Sequence, residues 1–154
     1  MRIGIDLDNT IVDYTSLFRE LAVSLNYIPS NLKGGKSDIK KYLLQQNQGQ
    51  INWQKLQGKV YGPNMYKAKP YNGFKNFIER SLNNNDEIFI ISHKTIYGHY
   101  DQTKTPLRRV AKKWLIDNRI LNFNKKGILD NNIFFFSTRK KKIKKIEELK
   151  LDYF

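Results

Sequence analysis

The sequence predicts an α/β fold built on a parallel sheet with helices on both faces. Two observations lead there. Short apolar runs bounded by turn residues alternate with stretches of helical periodicity, and the first of those runs ends in closely spaced acids. A chain of 154 residues has room for one domain with a substantial core and a modest insertion.

The first strand is expected over residues 2–7, where Arg2-Ile3-Gly4-Ile5 runs into Asp6-Leu7-Asp8-Asn9-Thr10 and the Asp-Asn pair marks a turn. Leu17, Leu21 and Leu25, with Phe18 and Ala22, place apolar groups three and four residues apart and predict a helix. Pro29-Ser30-Asn31 and Gly34-Gly35 end it. A second helix is expected from Ser37 as N-cap through Leu44, and a third from Trp53 to Val60, stopped by Gly62-Pro63. Residues 13–69 therefore read as a small helical insertion after the first strand. Alternation resumes at Pro70 with a helix near 72–83, a strand at 86–91, a helix at 106–120 and a strand at 132–136. A last helix starts near Arg139. The arrangement is Rossmann-like.

Cysteine is absent, no apolar run reaches membrane-spanning length, and Met1 leads directly into the first strand, so the expected setting is the cytoplasm. The net charge of +14 raises a polyanion as a partner. The Lys, Asn and Ile bias accounts for much of that charge, and no RNA- or DNA-binding motif accompanies it. The dense run from Arg139 through Lys145 reads as a solvated helix face. Nucleic acid is thus an unlikely partner on sequence grounds, while a basic surface would speed the arrival of a small anionic substrate.

In a parallel sheet ligands collect at the carboxyl ends of the strands. Asp6, Asp8, Ser92 and Ser137-Thr138 are all expected there. A carboxylate attacks a phosphate dianion only if the mutual repulsion is neutralised by a divalent cation and nearby donors. A second acid two residues on can protonate the leaving alkoxide and later activate water. Thr10 can brace the loop through its hydroxyl. His93 and His99 flank a loop on the same edge and are at most substrate contacts.

These residues resemble the motifs of the haloacid dehalogenase superfamily of phosphotransferases. Asp6-Leu7-Asp8-Asn9-Thr10 fits that family's first motif in full. Ile90-Ile91-Ser92 is similar to its second motif, and Lys140 to Lys142 to the basic helix start of its third. The resemblance covers residues 1–12 and 70–154 as an α/β core, with 13–69 in the place of a helical cap. It implies a Mg²⁺-dependent phosphatase acting on a small phosphomonoester, of nucleotide or phosphosugar class, through an aspartyl-phosphate intermediate. Asp6 then resembles the nucleophile and a metal ligand, and Asp8 the acid/base and a metal ligand through its backbone carbonyl. Thr10, Ser92, His93 and Lys142 would bind substrate; Lys140 and Lys142 are alternatives that helix phase does not separate. Tyr14, Arg19, Trp53, Lys55, Lys59 and Tyr61 in the insertion would meet the leaving group. Phosphatase and phosphomutase stay open.

The family's fourth motif, a further acidic pair after the next strand, has no match. The sequence reads as a member cut short within that strand, since Asp152 falls at its entering end and Asp130 precedes the strand before it. A second reading follows: a disabled remnant that binds phosphate or a partner without turnover. No transmembrane segment and no disulfide is expected.

Overall fold

The fold, seen in a computed structural model, is described for residues 1–121 and 127–154. Its elements run β1 (Arg2–Ile5), β2 (Val12–Asp13), α1 (Thr15–Ser24), α2 (Lys36–Leu44), α3 (Gly49–Tyr61), β3 (Lys69–Pro70), α4 (Phe74–Asn83), β4 (Glu87–His93), α5 (Leu107–Asp117), β5 (Ile133–Phe136) and α6 (Arg139–Glu148). The three long apolar runs form one parallel sheet in the order β1-β4-β5, with Ile5 opposite Ile90 and Ile90 opposite Ile133. Beyond β1, Asp152 N donates to Arg2 O and Gly4 N to Tyr153 O, both at 2.9 Å, so the last residues lie parallel to its other edge.

The period of two along each strand divides the sheet into two chemical faces. Ile5, Ile88, Ile90, Ile133 and Phe135 turn toward the main apolar cluster, which also takes Ile78 from α4 and Ala111, Trp114 and Leu115 from α5. Gly4, Phe89, Ile91 and Phe134 occupy the other face, under α6, whose Lys145 ammonium lies 4.9 Å from the Phe134 ring centroid. Gly4 admits a close approach there: a Cβ would come within 2.4 Å of Leu151 Cδ1 and 2.7 Å of Phe154 Cδ2, side chains that would have to shift.

Helices α1, α2 and α3 follow β2 and return through β3, which pairs antiparallel with it, Val12 opposite Pro70 and Asp13 opposite Lys69. Both crossings of the chain into this segment are therefore side by side. Its core is continuous with that of the sheet, since Leu17, Phe18, Ile39 and Leu56 belong to the same cluster as Leu7 and Ile90. The buried indole of Trp114 donates to Ala68 O at 2.8 Å and ties α5 to the returning chain.

Several boundaries differ from expectation. The first strand stops at Ile5, which leaves Asp6 and Leu7 in the loop, whereas β4 continues through Ser92 to His93. Ser37 lies inside α2: Gly35 holds the cap position, and its N–H donates to the Asp38 carboxylate at 2.9 Å. The third helix begins four residues before Trp53, at Gly49. Among the described residues no helix is long and apolar enough to cross a membrane.

Candidate active site

The loop after β1 is a tight knot built on one carbonyl. Leu7 O accepts from the N–H groups of Ile11 and Val12, both at 3.0 Å, and Asn9 adopts a left-handed φ of 59°, a region Asn tolerates. The Thr10 hydroxyl, expected to brace this loop, makes no hydrogen bond among the described residues; the backbone does that work instead. This knot sends the two acids in different directions.

Asp6 follows Gly4 in phase and meets α6. Its Oδ2 lies 2.6 Å from Lys142 Nζ, and its Oδ1 accepts from Leu7 N at 2.8 Å. Lys142, not Lys140, is thus the lysine that reaches the acid, 136 residues along the chain. The Lys142 ammonium also lies 5.0 Å from the centroid of the Phe154 ring.

Asp8 turns to the opposite side and finds a second lysine. Lys94 Nζ sits 2.9 Å from its Oδ2 and 3.1 Å from its Oδ1, and the Tyr14 hydroxyl donates to Oδ1 at 2.7 Å. The Lys94 side chain is only 2% exposed, and a charge so removed from water is held only when paired. Around this pair stand Tyr61, whose ring centroid is 5.2 Å from Lys94 Nζ, and Lys36, which donates to the Tyr61 hydroxyl at 2.6 Å. Burial, and then the neighbouring Asp8 charge, push the phenols of Tyr14 and Tyr61 above their ordinary range. Burial pulls the Lys36 amine down, with Asp8 opposing.

A cleft of about 400 Å³ opens beside Asp8 and Lys94. One wall is α3, with Gln50, Gln54, Gln57 and Tyr61; the other is the end of β4 and the chain after it, with His93, Thr95 and His99. Asp6 and Lys142 lie outside this lining. Of the side chains in the insertion expected to face substrate, Trp53 and Tyr61 do line the cleft. Tyr14 is fully buried against Asp8, and Arg19 spends its guanidinium on the carbonyls of Leu32 and Gly34. Lys55 and Lys59 line a separate depression with Pro63 and Tyr100.

Ser92 is 1% exposed and its Oγ has no hydrogen-bond partner among the described residues. Lying within β4 rather than past it, it shares the core-facing side with Ile90. His93 Nε2 lies 3.0 Å from Ser137 O. Arg108, which sequence reasoning missed, stitches the two strand ends together: its Nε donates to Lys94 O at 3.1 Å and its Nη2 to Ser137 Oγ at 2.7 Å. Lys94 was also missed. The alternation Ile88, Ile90, Ser92, Lys94 puts its side chain on the inward face once β4 is seen to run on to His93.

The remaining acids serve local structure. Asp13 accepts from Thr15 N, Asp101 from Thr103 and Thr105, Asp130 pairs with Lys112, and Asp152 accepts from Arg2 N. Among the described residues no group of three or more His, Cys, Asp or Glu side chains converges. What Asp6 and Asp8 offer is a small, all-oxygen donor set. The Asp6 carboxylate and the Asp8 backbone carbonyl are donors of the kind Mg²⁺ would take, beside several waters and a substrate phosphate. No family model, curated protein or solved structure matches this chain.

Proposed function

We propose that the chain is a phosphomonoester hydrolase in which Asp6 attacks phosphorus and Asp8 serves the leaving group. The observation that carries this is the division of the acids: one is paired with Lys142 outside the cleft, the other is paired with Lys94 inside it. In-line displacement needs the attacking and leaving oxygens on opposite sides of phosphorus. Two acids turned to opposite sides of one loop suit that requirement, with the organic part of the ester in the cleft.

Asp6 through its carboxylate and Asp8 through its backbone carbonyl would hold Mg²⁺. When bound, the ion supplies positive charge that screens a carboxylate from a phosphate dianion. Lys142 holds the Asp6 carboxylate in place and adds positive charge where the phosphoryl oxygens gather. As the Asp6 oxygen bonds to phosphorus, the P–O bond to the alcohol breaks, and the departing oxygen takes a proton through Asp8 from the Lys94 ammonium 2.9 Å away; the attacking water of the second step returns that proton to the pair. Water activated by Asp8 then attacks the aspartyl-phosphate, releasing phosphate and restoring Asp6. Tyr14 fixes the Asp8 side chain by its hydroxyl. Helices α1–α3 act as a cap that supplies the cleft wall and keeps competing water from the reacting group.

Hydrolysis of p-nitrophenyl phosphate with Mg²⁺ present tests the assignment. Asp6→Asn should lower kcat at least about a thousandfold, as removal of a nucleophile does, with the thermal midpoint little changed. Activity near the parent level in that variant would refute it.

A second reading is favoured by the same ion pairs and by the absence of a third acid among the described residues. It holds that the site binds phosphate without turning it over. Saturable phosphate binding with no hydrolysis across a Mg²⁺ titration would select that reading.

A further inference from the structure

We infer that the cleft takes a hydroxyl-rich phosphate monoester, a sugar or polyol phosphate, in preference to a nucleotide, and that Gln50, Gln54 and Gln57 read its hydroxyl groups. The inference rests on the phosphate-ester reading of this same site and narrows its substrate class.

Gln50, Gln54 and Gln57 fall at positions i, i+4 and i+7 of α3, so they form one stripe along the helix. All three line the cleft. Among the described residues, Gln50 and Gln54 make no side-chain hydrogen bond within the chain, while Gln57 reaches the Tyr61 hydroxyl. A carboxamide carries two donors and an acceptor, which matches a hydroxyl that both gives and takes a hydrogen bond. Amides carry no charge, so the part of the ligand they face is neutral and polar.

Amides also suit the edge of a nucleobase; the ring faces decide against one. Bases bind single sites largely by stacking on open aromatic faces. Trp53 is only 4% exposed and stacks on Phe18, with ring centroids 5.4 Å apart and planes at 19°. Tyr61 meets Tyr14 and Phe18 edge to face, and the ammonium groups of Lys36 and Lys94 lie over its ring at 5.4 Å and 5.2 Å. Trp53 and Tyr61 are thus engaged with the protein and His93 is tied to Ser137 O, which leaves the small imidazole of His99 as the remaining ring of the lining. The cleft volume of about 400 Å³ lies toward the small end of ligand sites.

Binding by calorimetry separates the cases without requiring turnover. The full chain carrying Asp6→Asn, and the parent chain with a chelator present, are titrated with inorganic phosphate, glucose 6-phosphate, ribose 5-phosphate and AMP. AMP contains ribose 5-phosphate, so that pair isolates the base. We expect glucose 6-phosphate to bind at least tenfold tighter than inorganic phosphate and than AMP. Gln54→Leu and Gln50→Leu should each weaken glucose 6-phosphate binding about fivefold, the worth of one hydrogen bond. AMP binding more tightly than ribose 5-phosphate would overturn the inference, as would a sugar phosphate no tighter than inorganic phosphate or Gln variants without effect. Failure of every probe, inorganic phosphate included, would sink the phosphate-ester reading as well; phosphate binding without a gain from the sugar sinks this inference alone.

Discussion

At Ser92 the chain buries a hydroxyl with no partner among the described residues, a state that costs about 1–3 kcal/mol of stability when nothing compensates. Two explanations agree on stability and part on activity. If the hydroxyl is only an unpaired core group, Ser92→Ala removes the penalty and leaves activity alone. If it serves a phosphoryl oxygen, the same variant keeps or gains thermal stability and loses about ten- to hundredfold in kcat/KM, the worth of a hydrogen bond to a charged group. We expect the second outcome, read by thermal melting and aryl-phosphate kinetics on one protein sample. Residues of this kind differ in how visible they are in sequence. Asp6 and Asp8 are legible because two acids behind an apolar strand need a compensating positive group. Lys94 is not, because a lysine two residues past Ser92 looks like a loop charge until β4 is seen to run on to His93. Lys142 is half legible: a basic helix start is evident, but which lysine turns inward depends on the angle at which α6 crosses the sheet.

The elements themselves were largely readable because each long apolar run is a buried parallel strand and each amphipathic stretch is a helix lying on it. What escaped were the two-residue strands β2 and β3, too short to carry any periodicity, and the start of α3, where Gln48 adopts a left-handed φ of 56° that composition does not announce. That junction is set by a close contact. A Cβ at Gly49 would lie 1.9 Å from Leu43 O and 2.7 Å from Leu43 C, both backbone atoms that cannot move without shifting the end of α2. Gly49→Ala should therefore destabilise by about 1–3 kcal/mol, as overpacking does, and lower the thermal midpoint by several degrees. Gly58 is the useful contrast. There a Cβ would meet His99 O at 3.1 Å, tight but not forbidden, and alanine gains about 1 kcal/mol of helix propensity. Gly58→Ala should come within about 1 kcal/mol of the parent, so a large loss at Gly49 alone would identify the α2–α3 junction as the constraint.

At the scale of the whole molecule, one continuous core joins the sheet to helices α1–α3, and beside it stands the polar cluster of Asp8, Tyr14, Tyr61, Lys36 and Lys94. Sequence periodicity cannot foresee that cluster, since its members come from five separate segments and only the packed fold brings them together. Its ionisation gives the molecule a defined weakness at high pH. Tyr14 and Tyr61 are raised above the ordinary phenol value of 10.0, first by burial and then by the Asp8 charge. The unfolded chain therefore loses these protons near pH 10 while the folded chain keeps them. The stability they contribute is fully present below that pH and falls as pH climbs toward the folded values, by about 1.4 kcal/mol per pH unit for each tyrosine. Lys36 works in the other direction: burial lowers it from 10.5, so its cost to the fold is present at neutral pH and is relieved as pH approaches 10.5. One lysine relaxing cannot offset two tyrosines held neutral, so the net slope above pH 10 is downward. Urea midpoints followed from pH 8 upward should stay level or rise slightly and then drop beyond about pH 10. Tyr14→Phe should flatten that drop by roughly half, because it removes one of the two phenols while keeping the ring that packs on Phe18. A midpoint that declines equally in the variant would place the alkaline weakness elsewhere than at this buried centre.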